Sequence, residues 1–405
     1  MSLSLSDVRA AAERIKGGVR RTPCLESEAL SRRLSTTVVV KYENLQHTGA
    51  FKARGALSRL AKLNDEERAN GVVAMSAGNH AQGVAYQAQR LNIPATIVMP
   101  KGTPFVKVRK TKEYGAKVEL EGDTLEGAEN HARELAIQHG FTFVHPYDDI
   151  DVVAGQGTIG LEMIEDDPDL DVLVIPVGGG GMIAGSAVAA KGLKPSVDII
   201  GVEPELYPSL TNALKQSNLP CEGSTLGEGI AVRTIGTRPL PLIQEHVKDV
   251  VTVSETSMER AVSMFLSRDK VVAEGAGASS LAALIEHPDL FAGKRVGLVL
   301  SGGNIDARML SSVLMRDLVR LGQVLTLSIA MPDKPGQLNA VAGICADLGA
   351  NVLEVAHTRF AMDLSASAAR LNITIETRDE AHAQLVISRL TEAGFTIRIK
   401  DPTEP

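Results

Sequence analysis

Between residues 38 and 300, short apolar segments alternate with longer stretches of helical periodicity, and this alternation narrows the possible folds more than any other feature of the chain. Val72–Met75, Ala95–Met99, Lys117–Leu120, 172–177, 199–203 and 296–300 read as strands, most of them ending at Gly, Ser or Pro. Residues 124–139 and 158–164 read as helices. Such alternation predicts an α/β fold on open, mainly parallel sheets, with ligands held beyond the carboxyl ends of the strands. The strand ends are therefore where chemistry is sought.

Past Leu321 the pattern becomes more compact. Residues 324–331 read as a strand, Asp333-Lys334-Pro335-Gly336 as a turn, and the next stretch as a helix with Leu338, Val341, Ala342, Cys345 and Leu348 on one face. Residues 351–356 and 371–377 form a candidate strand pair, 381–393 a second helix and 395–399 a last strand. The order βαββαβ within about 80 residues is the ferredoxin-like α+β unit. A domain boundary is expected near Gly322, and 405 residues suit two or three domains.

Charge and composition remove several partner classes. A formal charge of -7 argues against a phosphate-backbone partner and an anionic membrane surface, and 3% aromatics with no Trp leaves little for stacking bases. Small anions stay possible, because backbone N–H groups can hold them. Cys24, Cys221 and Cys345 are odd in number and lack metal-type spacing, so neither a disulfide framework nor a zinc site is expected, and a reducing cytoplasm fits. Residues 1–16 carry no apolar core of signal-peptide length, and no run approaches the roughly 18 apolar residues of a membrane span.

Four segments could carry chemistry. Gly178, Gly179, Gly180, Gly181 and Met182 follow one strand and precede a small-residue helix, which lets backbone N–H groups and a helix terminus converge on a phosphate. Taken alone the run is equally a tight turn, and without a following Lys-Ser/Thr pair it is not a nucleoside-triphosphate loop. Lys52, after Gly49-Ala50-Phe51, reads as the start of a helix whose positive end would favour a neutral, nucleophilic amine; taken alone, a lysine here reads first as a solvated surface residue, and only its context points to chemistry. Ser76, Ala77, Gly78, Asn79 and His80 follow another strand and could cradle a carboxylate, or simply cap a helix. Ser301-Gly302-Gly303-Asn304 follows a fourth. A lysine beside a phosphate cradle is what a Schiff base with pyridoxal phosphate requires.

With these segments, HPYDD (145–149), GQGT (155–158), GEGIAV (227–232) and AEGAG (273–277) occur in an order that resembles the serine/threonine dehydratases, fold-type II pyridoxal phosphate enzymes. The resemblance runs from about residue 5 to 318. The tail is similar to an ACT regulatory domain through DKPGQL (333–338), Asn351-Val352 and His357-Thr358-Arg359. Together they resemble the threonine ammonia-lyases with one ACT domain. The resemblance implies a catalytic domain at 1–321, with a smaller subdomain at about 45–147 inserted in it, and a regulatory domain at 322–405. It implies that Lys52 forms the Schiff base and then serves as base for the α-proton, with Phe51 near the cofactor ring. Gly178, Gly179, Gly180, Gly181 and Met182 would bind the phosphate, and Asn79 the phenolic oxygen. Ser301 would face the pyridine nitrogen, with Gly229 and Glu274 lining the ring. Residues 76–80 would hold the substrate carboxylate. Loss of water from L-threonine would give 2-oxobutanoate and ammonia, and from L-serine pyruvate.

Other outcomes stay open at this stage. Relatives that racemise serine place a Ser where this chain has Ala77, which has no proton to give. A 3-hydroxyaspartate dehydratase shares the motifs, and a silent ACT-based amino-acid sensor would keep only the tail. Ala50 stands where many relatives carry Ser. Glu203 is followed six residues later by Ser209 rather than an acid, so a monovalent cation or none is expected. In the tail, Asp333, Gly336, Gln337, Leu338 and Asn351 are candidates for an isoleucine or valine effector. A ferredoxin-like edge suits self-pairing, so a homo-oligomer, dimer or tetramer, is expected.

Overall fold

A computed structural model describes residues 3–359, 365 and 367–400. The chain divides into two compact units, one ending at Asp306 and one beginning at Ala307. The helix Ala307–Arg320 is grouped with the second unit, so this division falls one helix before the boundary expected near Gly322. Among the described residues, no helix is long and apolar enough to cross a membrane.

The first unit carries ten strands: β1 (Cys24–Glu26), β2 (Thr37–Tyr42), β3 (Val72–Met75), β4 (Ala95–Met99), β5 (Lys117–Leu120), β6 (Thr142–Phe143), β7 (Val172–Pro176), β8 (Asp198–Pro204), β9 (Asp249–Val253) and β10 (Arg295–Leu300). They form a six-stranded sheet in the order β1-β2-β10-β7-β8-β9 and a four-stranded sheet in the order β5-β4-β3-β6. All neighbours are parallel except the edge pair β1 and β2. Parallel strands need covered faces, and β7 is buried at every residue. The smaller sheet lies wholly between β2 and β7 in the chain.

Helices Ile150–Asp166 and Gly181–Leu193 lie backbone to backbone against each other. A Cβ on Gly160 would fall 2.4 Å from the carbonyl oxygen of Ser186, and one on Gly185 2.2 Å from that of Val153. Any larger residue at either position would push the helices apart. This contact fixes where the helix after β7 begins, and hence where the glycine run points.

The second unit adds β11 (Val324–Pro332), β12 (Asn351–Thr358), β13 (Ala368–Glu376) and β14 (Thr396–Lys400), antiparallel in the order β12-β13-β11-β14. With helices Gln337–Leu348 and Glu380–Glu392 this is the expected βαββαβ unit. Leu327, Ile329, Ile373, Val341 and Val386 fill its core. The edge strand β12 leaves Leu353 and Val355 exposed.

Candidate active site

The end of β10 and the turn before Lys52 are joined by main-chain hydrogen bonds. Phe51 N donates to Ser301 O at 3.0 Å, Gly303 N donates to Gly49 O at 3.0 Å, and Ala50 pairs with Gly302 in an antiparallel bridge. Thr48 and Gly49 both have positive φ, 65° and 71°. A β-branched residue held there costs about 1–3 kcal/mol, so the surroundings over-determine this turn.

Lys52 opens the helix Lys52–Leu60. Its Nζ donates to Pro146 O at 2.8 Å and stands 5.1 Å from the centre of the Phe51 ring. Burial pushes its pKa down from 10.5 to about 8. Desolvation, rather than the helix terminus expected from sequence, is what favours the neutral amine.

The residue after Pro146 packs on the glycine run. A Cβ on Gly179 would fall 2.2 Å from Tyr147 Cγ, and one on Gly181 would fall 3.0 Å from Tyr147 O. The chain turns at Gly180, with φ +91°, from β7 into the helix. Among the described residues, the amides of Gly178, Gly179, Gly180, Gly181 and Met182 donate to no protein acceptor. Five consecutive free amides at a helix N-terminus, under a Tyr ring that excludes any side chain from Gly179, fit a phosphate without a basic residue.

Ser301 is 3% exposed, and its hydroxyl makes no hydrogen bond to the described residues. Nearby, Glu274 N donates to Gly302 O at 3.0 Å. A Cβ on Gly302 would lie 2.4 Å from Glu274 Oε1, and one on Gly229 would lie 3.8 Å from it. Burial pushes the Glu274 carboxyl up to about 7, against hydrogen bonds from the Asn79 side chain and the Asn304 backbone that pull it down. Asn79 Nδ2 donates to Glu274 Oε1 at 2.7 Å, which brings the loop from Ser76 to His80 to the large sheet.

Ser76, Ala77, Gly78 and Asn79 are partly accessible, and Gly78 N donates to Ser76 Oγ at 3.1 Å. His80 is buried instead. Its Nε2 donates to Val144 O at 2.9 Å, Nδ1 has no partner among the described residues, and burial followed by the nearby Lys52 charge pushes its pKa down to about 3. A neutral ring fixed from behind supports the loop and carries no positive charge for a carboxylate.

The Glu203 carboxylate accepts from Ser209 Oγ, Leu210 N, Thr211 N and Thr211 Oγ1 at 2.5–3.1 Å, so it caps the helix Ser209–Lys215. In the second unit, Asp333, Gly336, Gln337 and Leu338 share one turn and helix start, and Arg359 Nε donates to Asp333 Oδ1 at 3.2 Å. Asn351 is not brought to them: it follows the far end of the helix Gln337–Leu348, which is about 18 Å long at 1.5 Å per residue, and it bonds Glu376 at 3.3 Å. Sequence reasoning gives no role to Pro146, Tyr147 or Asn304, although each stands in a run that it singles out.

A lysine whose pKa is lowered to about 8, an amide cradle beside it and a lone hydroxyl at a strand end define a site for a phosphate-bearing aldehyde, the class of the fold-type II pyridoxal phosphate enzymes. The chain belongs to the pyridoxal-phosphate dependent enzyme family, whose model matches residues 15–302. It is 44% identical over 399 residues to an L-threonine ammonia-lyase of Thermotoga maritima, covering 98% of this chain and 99% of the relative. It is 40% identical over 310 residues to an L-threo-3-hydroxyaspartate ammonia-lyase of Saccharomyces cerevisiae, covering 76% of this chain and 95% of that one. The solved structure of the processed form of threonine deaminase isoform 2 from Solanum lycopersicum matches with a TM-score of 0.72 and 35% identity, over 77% of this chain and 86% of that one.

Proposed function

We propose that this chain deaminates L-threonine to 2-oxobutanoate and ammonia, and L-serine to pyruvate, by pyridoxal phosphate-dependent loss of the β-hydroxyl. The observation that carries it is Lys52, half-buried and with a lowered pKa, with its Nζ on Pro146 O one residue before the Tyr147 that packs on the amide cradle. The full-length likeness to an L-threonine ammonia-lyase supports the choice of substrate.

Pyridoxal phosphate, when bound, supplies an electron sink that makes the substrate's α-proton acidic. The amides of Gly178 to Met182 would hold its phosphate, Asn79 its phenolic oxygen, and Ser301 its ring nitrogen, with Phe51, Gly229 and Glu274 around the ring. Lys52 would hold it through Nζ, and the same Nζ, as a free amine, would take the substrate's α-proton. Ser76, Ala77, Gly78 and Asn79 hold the substrate carboxylate through backbone and short polar groups, with His80 fixing the loop from behind. Initial rates with L-threonine, L-serine and L-threo-3-hydroxyaspartate test the assignment. Formation of 2-oxobutanoate from threonine is expected, and turnover of hydroxyaspartate alone overturns it. Chiral analysis of serine separates a racemase, which Ala77 disfavours for want of a proton.

A neutral Ser301 hydroxyl would leave the ring nitrogen unprotonated, which would limit charge build-up there and favour prompt departure of the leaving group. Ser301→Asp is expected to lower kcat for L-threonine by about tenfold or more, at least one 1.36 kcal/mol step in the barrier. Unchanged turnover in that variant would rule out this role.

The second unit is proposed as an ACT-type regulatory domain, with Asp333, Gly336, Gln337 and Leu338 near an isoleucine or valine effector. Its exposed β12 edge, with Leu353 and Val355, suits pairing with a second copy of the chain. Isoleucine or valine should shift both activity and Tm, and no effect on either removes the effector role.

A further inference from the structure

Asn304 touches three separate segments. Its Nδ2 donates to Thr48 O at 2.7 Å and to Asn79 Oδ1 at 2.8 Å, and its backbone N–H faces the Glu274 carboxyl and helps to pull that group's pKa down. A Cβ on Gly49 would lie 2.9 Å from Asn304 Oδ1, so the amide packs against the turn that leads into Lys52. Asn79 Nδ2 closes the ring on Glu274 Oε1 at 2.7 Å.

The polarity of this ring follows from one group. A main-chain carbonyl only accepts, so the part of the Asn304 amide that faces Thr48 O is its NH2. The same NH2 faces Asn79, which must therefore turn its oxygen toward Asn304 and its nitrogen toward Glu274. One N–H of Asn79 is committed to Glu274, and the other has no acceptor among the described residues. Asn79 is left with an N–H to offer, which suits an anionic oxygen. The loop from Ser76 to His80 and the turn before Lys52 come from different parts of the chain, and Asn304 holds both.

We propose that Asn304 is a positioning residue that sets the amide polarity of Asn79 and couples Asn79 to the turn carrying Lys52. The proposal rests on the function given above, in which Asn79 meets the phenolic oxygen of pyridoxal phosphate. Asn304→Ala removes both side-chain donations. Asn304→Asp also places a carboxylate against Thr48 O and invites Asn79 to turn its NH2 toward it, which points the Asn79 oxygen at Glu274.

The test uses the full chain with pyridoxal phosphate. Cofactor Kd is measured by titrating the apoprotein, the visible absorption maximum of the loaded enzyme is recorded, and kcat and KM are measured separately for L-threonine. Both variants are expected to bind the cofactor about 10- to 100-fold more weakly, the usual effect of removing a partner that orients a ligand-binding group. Both should show a displaced absorption maximum, and kcat should fall by a larger factor than KM rises. A purely structural role would lower Tm and leave the spectrum of the remaining folded enzyme unchanged. If Asn304→Asp does not fold, Asn304→Ala, which adds no charge, decides alone. A folded Asn304→Ala with the parental absorption maximum and parental Kd overturns the proposal. If the parent itself takes up no pyridoxal phosphate, the proposed function falls and this inference with it.

Discussion

Lys52→Ala is expected to take up pyridoxal phosphate without the visible absorbance of the lysine-bound group and to lose turnover of L-threonine by about 10³-fold or more, because attachment and proton transfer depend on the same Nζ. The amide cradle from Gly178 to Met182 does not involve Lys52, so weak, reversible uptake should persist in the variant. In the parent apoprotein, only the neutral amine can attack an aldehyde. With the Lys52 pKa pushed down from 10.5 to about 8 by burial, the rate of cofactor capture should rise with pH and level off above about 8. A solvent-exposed lysine would keep gaining up to its ordinary value near 10.4. Capture followed by absorbance across pH 6–10, at fixed ionic strength, checks the second part (~8 as the plateau onset). Retained turnover in Lys52→Ala would refute the assignment of the lysine, and a capture rate still climbing at the top of the range would refute its burial.

Much of this site is legible in the sequence because parallel strands and glycine runs leave local signals. The segments ending at Met75, Pro176 and Leu300 are short and apolar and are followed at once by Ser or Gly, or by Val and then Gly, so the strand ends can be placed from the sequence. The helix starting at Lys52 is also readable. What escapes is the set of side-chain contacts between distant segments. Asn304 and Asn79 are 225 residues apart, and nothing in Gly302-Gly303-Asn304 announces that its amide will face Thr48 and Asn79. The sequence points to a helix terminus as the cause of a neutral Lys52, because a sequence displays helices but not burial. His80 groups with its accessible neighbours because five consecutive residues look alike until the helix Asn79–Leu91 turns one of them inward. Asn351 groups with Asp333 because both flank one helix, and the length of that helix separates them.

Arg54→Met is expected to destabilise the first unit by about 3–5 kcal/mol, the cost of leaving a buried carboxylate without its partner. Arg54, Lys41 and Glu43 are fully buried and Glu162 is 8% exposed. The Arg54 guanidinium meets both carboxylates through two bonds each, at 2.8 and 2.8 Å to Glu43 and at 2.7 and 2.9 Å to Glu162. Lys41 Nζ donates to Glu162 at 2.6 Å, and the Thr22 hydroxyl donates to Glu43. Losing Arg54 therefore leaves Glu162 with Lys41 and strips Glu43 of its only cation in this cluster. Burial works to raise the Glu162 carboxyl, but Arg54 and Lys41 overcome it and hold the group below 4.5. Its contribution is thus fully present above pH 4.5 and is lost as pH falls through the lower folded value. Urea unfolding of the parent, Arg54→Met, Glu43→Gln and the double variant measures the coupling, and the double variant should recover much of the loss because Lys41 and Glu162 then balance. A loss of only about 1 kcal/mol in Arg54→Met, as for an exposed pair, would show that the cluster contributes little. The double variant should not recover cofactor affinity to the same extent. Four planar N–H···O bonds fix the rotation of the helix Lys52–Leu60 about its own axis, and Lys52 stands two residues before Arg54 on that helix. An apolar side chain restores burial without restoring direction, so stability and the aim of Lys52 should separate in this variant.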